Sequence, residues 1–174
     1  ATLVTNSAEL GEGLLGLSQG KTLVLEDGKI AALSDRTPEG VDEVIDCAGK
    51  TVIPGFVDSH THLVFAGDRS AEFAARSRGE KYSAGGIKTT VAATRAASNS
   101  QLTINAQTLL DEALSQGTTT VEIKTGYGLT LHDELRSLDI ASAFTDETTL
   151  LAAPVIPEEH VNNTAGYVDL LIKE

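Results

Sequence analysis

Methionine and tryptophan are absent from this 174-residue sequence, cysteine occurs once, and aromatic residues make up only 4%. A lone cysteine, Cys47, rules out an intrachain disulfide and favours a reducing compartment. No run approaches the roughly 18 apolar residues of a membrane helix. No basic-then-apolar leader opens the chain, so no secretory signal is expected and the cytoplasm is the expected location. Cations are scarce as well: 13 Lys and Arg stand against 25 Asp and Glu, for a formal charge of -12. Such a chain is a poor general partner for nucleic acid or anionic lipid, which both depend on cationic side chains meeting phosphate. A chain of this size normally carries several methionines, so their absence, at position 1 as elsewhere, leaves its completeness open. What is present is 41% apolar with a mean hydropathy of -0.02, the composition of a folded domain able to bury a core.

The pattern changes near residue 54. Before it, short β segments are expected at Thr2–Thr5, Thr22–Leu25, Ile30–Leu33, Glu43–Ile45 and Thr51–Ile53, separated by glycines, Pro38 and the pair Asp27-Gly28. Asp-Gly between apolar stretches signals a hairpin, because both turn residues tolerate positive φ. Residues 1–53 therefore read as a small antiparallel sheet. Residues 54–174 read as strand and helix in alternation. Strands are expected at 56–59, Thr118–Lys124 and Thr148–Ala153. Helices are expected over Ile87–Ala97, over Gln101–Ser115 with Ser100 as N-cap and Gly117 past its end, and from Thr130 to about Ala143 with Asp133 completing an acidic capping box. A last helix is expected to start at Asn163 or Thr164. Three strand–helix units in series imply an α/β fold with a parallel sheet. They are too few to close a (β/α)8 barrel, so the chain reads as an open α/β domain or the leading part of a barrel.

The sharpest chemical feature is Val57-Asp58-Ser59-His60-Thr61-His62. Side chains alternate along a strand, so His60 and His62 project to one side at its carboxyl end. Two neutral imidazoles there can reach one Zn²⁺ or similar divalent ion. A bare His-x-His pair more often marks two surface residues. Here an apolar strand opened by Pro54-Gly55 leads into it, and that context turns the reading to a metal.

The stretch Val52-Ile53-Pro54-Gly55-Phe56-Val57-Asp58-Ser59-His60-Thr61-His62 resembles the signature strand of the metal-dependent amidohydrolase superfamily. Three further blocks resemble the imidazolonepropionase family within it: Leu63–Phe73, Thr94–Ser98 and Gly117–Leu129. The resemblance covers essentially the whole chain. It implies the leading part of a (β/α)8 TIM-type barrel (residues 54–174, the first three βα units), preceded by part of a small β-sandwich (residues 1–53). The implied reaction is metal-dependent hydrolysis of a cyclic amide, 4-imidazolone-5-propanoate to N-formimidoyl-L-glutamate in histidine degradation, with Zn or Fe as the metal. It implies His60 and His62 as metal ligands, Arg69 as the partner of the substrate carboxylate, and Tyr127 as a substrate contact. Guanidinium chemistry agrees for Arg69, since its planar fork matches a carboxylate through two parallel hydrogen bonds. Taken alone, Arg69 would read as a solvated charge and Tyr127 as packing for a glycine-rich turn. A small-molecule substrate is expected, with no nucleic acid or membrane partner and a homodimer as the candidate assembly.

The sequence departs from that family in two places. Where the family carries a histidine after the third strand, Pro154 stands here. His160, six residues on, reads as a solvated residue near a helix start. The segment Lys81–Gly86 is shorter than its family counterpart. The family's third metal histidine, a glutamate and the aspartate base would all lie beyond Glu174, so the 174 residues alone are expected to be inactive. Another cyclic amidohydrolase, hydantoinase-like or deaminase-like, and a non-catalytic relative stay open as alternatives. Cys47 reads as a buried apolar residue. Asp133-Glu134 and Glu158-Glu159 read as solvated charges at helix starts.

Overall fold

Asp27 and Gly28 both adopt positive φ, 50° and 72°, as a two-residue primed turn requires. They join Thr22–Glu26 to Lys29–Ser34 in the expected antiparallel hairpin. The computed structural model describes residues 1–80, 86–152 and 154–173, and these form two compact units, Ala1–Gly55 and Phe56–Glu174.

In the first unit the strands are β1 (Thr2–Val4), β2 (Leu17–Gln19), β3 (Thr22–Glu26), β4 (Lys29–Ser34) and β5 (Thr51–Val52). The single antiparallel sheet expected there is instead two pieces. One is a three-stranded sheet ordered β2-β1-β5, with β1 antiparallel to β2 and parallel to β5. The other is the β3-β4 hairpin. Strand β2 was not expected; it is three residues set between Gly16 and Gly20, both at positive φ. Conversely, Glu43–Ile45 forms no strand, and Val44 and Ile45 lie exposed. A three-residue stretch becomes a strand only where an edge is available to pair with it.

The second unit follows the strand–helix pattern. Strand β6 (Phe56–Thr61) leads to α1 (Ser70–Ser77), α2 (Ile87–Ala96) and α3 (Asn99–Ser115). Then come β7 (Thr118–Lys124), α4 (Leu131–Ser142), β8 (Thr148–Thr149), a 3-10 turn at Glu158–His160, and α5 (Thr164–Lys173). The strands form a parallel sheet in the order β6-β7-β8. Strand β7 alternates cleanly: Val121 and Ile123 are buried, packing with Leu102 and Ala106 of α3 and Ile140 and Ala141 of α4, while Thr120, Glu122 and Lys124 lie on the other face.

Local chemistry explains most boundaries. Helix α3 is capped by Ser98, whose hydroxyl accepts from the Gln101 N–H at 3.2 Å; the expected cap, Ser100, is already inside the helix. Gly117, at φ 94°, ends it as expected. Thr130 caps α4 by accepting from the Asp133 N–H at 3.1 Å; the Asp133 carboxylate accepts from the Thr130 hydroxyl at 2.7 Å rather than from its backbone N–H, so only half of the expected capping box forms. Helix α1 was not expected. Strand β8 is two residues rather than six, because past Thr149 the Leu151 N–H turns to the Thr125 hydroxyl at 3.0 Å. The Lys81–Gly86 segment lies, apart from Gly86, outside the described residues, as does residue 153. Among the described residues no helix is long and apolar enough to cross a membrane.

Candidate active site at the strand tips

His60 and His62 stand at the carboxyl end of β6, with ring centroids 5.3 Å apart and planes inclined by 61°. The strand is locally irregular here: Asp58 pairs with Val121 but Thr61 with Ile123, so three steps on β6 span two on β7. Two side-chain bonds fix the irregular segment. Asp58 Oδ1 accepts from the His60 N–H at 3.2 Å, and the Thr61 hydroxyl donates to the Glu122 carbonyl at 2.6 Å. His60 is exposed and His62 half-buried.

His62 is held below the usual imidazole pKa, first by burial and then by the charge of His60, against a smaller opposing pull from the backbone of Thr125 and Lys124. Its neutral form is thus favoured near neutrality, and its Nδ1 is buried with no hydrogen-bond partner. An orphaned buried nitrogen on a neutral imidazole, with a second imidazole beside it, is a donor set that fits a divalent cation. It is half a coordination shell: among the described residues no three His, Cys, Asp or Glu side chains converge on one point.

The loop after β6 is pinned from behind. The Ala66 N–H donates to the buried Thr94 hydroxyl at 3.0 Å, and the Asn105 amide donates to the Phe65 carbonyl at 3.1 Å. Arg69 follows as the N-cap residue of α1. Its fork meets a carboxylate inside the protein: Nε donates to Glu72 Oε2 at 3.1 Å and Nη2 to Oε1 at 2.6 Å. That pairing holds the Glu72 carboxyl below its ordinary pKa.

The loop after β7 carries Tyr127. Its ring lies 5.5 Å from that of His62 and 5.8 Å from that of Phe65. Gly126 suits the loop through its φ of 138°, which side chains rarely adopt; a Cβ there would be in ordinary contact, 3.4 Å, with both His62 Cε1 and Pro154 Cγ. Pro154 and His62 thus both face the side of Gly126 where a Cβ would stand, and the Pro154 ring offers neither a proton nor a lone pair there. His60, His62 and Tyr127 are brought together, while Arg69 is engaged with Glu72.

Several residues near the strand tips escaped the sequence reading. Glu122, on the β7 face opposite the helix-packed core, accepts from Lys124 and Thr149, and its pKa is lowered by both, with a smaller effect from His60. Alternation along Thr118–Lys124 was enough to place Glu122 and Lys124 on one face. Glu134 corrects an expectation outright. It is 1% exposed rather than solvated, and accepts from the Gly126, Gly128 and Leu129 N–H groups. Glu158 and Glu159 do lie near the surface, paired with Lys88 at 2.8 Å and Arg95 at 2.9 Å. His160 is half-buried against Tyr167, ring centroids 5.0 Å apart, rather than solvated. Cys47 is only half-buried.

Residues 43–166 match the amidohydrolase family. The chain is 53% identical to imidazolonepropionase of Streptomyces griseus subsp. griseus, over 98% of this chain and 44% of that protein. It is 53% identical to imidazolonepropionase of Salinispora arenicola, over 97% of this chain and 43% of that one. A third, from Nocardia farcinica, is 51% identical over 99% of this chain and 44% of its own length. The chain therefore spans about 44% of the length of these curated relatives.

Proposed function

This chain belongs to the amidohydrolase family, and from that premise we propose that it carries the leading part of an imidazolonepropionase, an enzyme that opens the ring of 4-imidazolone-5-propanoate by adding water across a cyclic amide. In this reading residues 54–174 are the first three βα units of a (β/α)8 barrel and residues 1–53 part of a β-sandwich. The observation that carries it is the His60–His62 pair, with a buried unpartnered Nδ1, in a chain about half identical to relatives of that name.

His60 and His62 would hold a divalent cation, Zn or Fe, which when bound makes water acidic enough to react near neutral pH and polarises a carbonyl. The chain's own residues supply the rest of this half of the site. Burial lowers the pKa of His62 and so favours the neutral form, which has one nitrogen lone pair to offer a cation. Arg69 orients the propanoate, for which Glu72 is a ready stand-in: the same fork that now grips Glu72 would be shared with, or handed to, the substrate carboxylate. Tyr127 lies beside His62, ring centroids 5.5 Å apart, where it would contact a ring held at the histidine pair. In the reaction the ring C–N bond breaks, the water oxygen joins the carbon, and a proton passes to the nitrogen. The base that moves that proton and the remaining ligands would come from the part of the relatives' length that this chain does not span.

Pro154 favours a second reading, a different cyclic amidohydrolase, because a proline cannot make the polar contact expected at that position. One experiment separates the two. The full-length protein, loaded with Zn²⁺ or Fe²⁺, is assayed on ring amides with and without a carboxylate tail, alongside His60→Ala. The first reading expects turnover restricted to the carboxylate-bearing imidazolone, and loss of both metal content and turnover in His60→Ala. Turnover of tailless rings points to the second reading. Full metal content in His60→Ala removes both.

A further inference from the structure

We propose that Glu134 is the positioning residue that sets Tyr127 beside His62, acting through the backbone of the loop that carries it. The proposal rests on the reading of Tyr127 as a substrate contact. The carboxylate lies 1% exposed in the first turn of α4 and accepts three hydrogen bonds from loop amides. Gly126 N–H meets Oε2 at 2.7 Å, and Gly128 and Leu129 N–H meet Oε1 at 2.9 and 2.7 Å. The amides on both sides of Tyr127 therefore point at one anion. The loop carbonyls are taken from the other side: Arg95 Nε donates to the Gly128 carbonyl at 2.6 Å, and the Tyr167 hydroxyl to the Leu129 carbonyl at 3.2 Å.

The chemistry of the donor set calls for a carboxylate. Three N–H groups converging on two oxygens need acceptors only. A glutamine would turn an NH₂ towards at least one of them and leave a buried donor unmatched. The charge is tolerable because the loop amides and the start of α4 both present positive dipole ends. The loop could not easily hold this shape unaided. Gly126 is at φ 138° and Leu129, which has a side chain, at φ 59°. A Cβ on Gly128 would lie 2.6 Å from Asp133 Cβ, so the loop is drawn tight against the start of α4. Tyr127 thus has its backbone held on either side, which is how a carboxylate that makes no contact with its ring governs where that ring stands.

The test uses the full-length protein and two kinds of measurement on Glu134→Gln and Glu134→Asp. Amide hydrogen exchange should quicken by about tenfold or more at Gly126, Gly128 and Leu129 in Glu134→Gln, with α3 unchanged. Steady-state kinetics should show KM for the imidazolone raised about tenfold with kcat within about twofold. In a Tyr127→Ala background the same substitution should add no further rise in KM. Glu134→Asp, which keeps the charge but reaches less far, should fall between wild type and Gln, and serves if Gln does not fold. Unchanged exchange at the three amides overturns the role of Glu134 in the loop. An equal KM penalty with and without Tyr127 overturns its action through that ring. If the wild-type protein turns over no ring amide, the functional reading fails by itself, and the exchange rates still decide whether Glu134 holds the loop.

Discussion

Tyr167, 1% exposed on α5, shares its hydroxyl proton between the carbonyls of Ala152 at 2.9 Å and Leu129 at 3.2 Å. One phenol thus ties the loop after β8 to the loop that carries Tyr127. Burial raises its pKa, with the charges of Glu134 and Glu159 adding to the effect and Arg95 opposing it. A phenol whose folded pKa exceeds its unfolded one stabilises the protein fully below the unfolded value, near 10, and loses that contribution as pH rises through the folded value. Urea unfolding from pH 8 to 11 should therefore show stability falling at the alkaline end, and Tyr167→Phe should flatten that fall. At neutral pH the same substitution should cost about 1 kcal/mol, the usual net worth of a hydrogen bond of this kind. An alkaline limb just as steep in Tyr167→Phe would assign it to other groups. Residues of this kind were the least legible in the sequence. Glu134 sits one turn into a helix, where a carboxylate is ordinarily solvated, and nothing local marks it as the floor of a loop. Its burial follows from a segment several residues upstream folding back over it.

At the scale of elements, the caps of α3 and α4 were placed to within two residues, while helix α1 and the burial of Glu134 in the first turn of α4 were missed. Ser98-Asn99-Ser100 offers three residues able to cap, and the chain uses the first, because the cap is decided by where the preceding backbone turns away from α2. Ser98→Ala should lower stability by about 1 kcal/mol and Ser100→Ala by no more than a few tenths, measured by thermal unfolding. Equal effects would mean that the cap is shared. Strands were legible where β-branched residues ran long, as in Thr118–Lys124, which matches its expected span residue for residue. Among the strands of two or three residues the outcome was mixed: Thr2–Val4 and Thr51–Val52 form where expected, whereas Glu43–Ile45 does not form and Leu17–Gln19 was missed. Glu43–Ile45 and Leu17–Gln19 are equally short, and only the second lies beside a free edge of β1. Pairing across the chain made that choice, and it leaves no trace in three residues.

Across the whole molecule, apolar surface and net charge oppose one another. Phe56 and Val57 of β6 are 56% and 69% exposed, and Leu14, Ile30 and Ile45 are exposed as well. Apolar groups of this kind favour association, whereas a charge of -12 resists it. The 174-residue chain is expected to stay monodisperse in dilute salt and to self-associate as salt approaches about 1 M, where the screening length drops to about 3 Å. Light scattering across a salt series checks this, and replacing Phe56 and Val57 with threonine should weaken the association. Association that falls with added salt would instead point to charge complementarity between copies.

By itself the sequence determined that residues after the mid-fifties alternate strand and helix, that His60 and His62 share one strand tip, and that Tyr127 follows β7 between glycines. Each of these follows from a short-range rule: the period of a strand, the preferences of a helix end, the freedom of glycine. Only the tertiary structure decided that Pro154 and His62 both come against Gly126, that Tyr167 ties the loop after β8 to the one after β7, and that Glu134 is buried beneath the Tyr127 loop. Those outcomes depend on how each loop folds back and on which backbone groups are left needing a partner once the sheet has formed, which the spacing rules of a strand or helix do not encode.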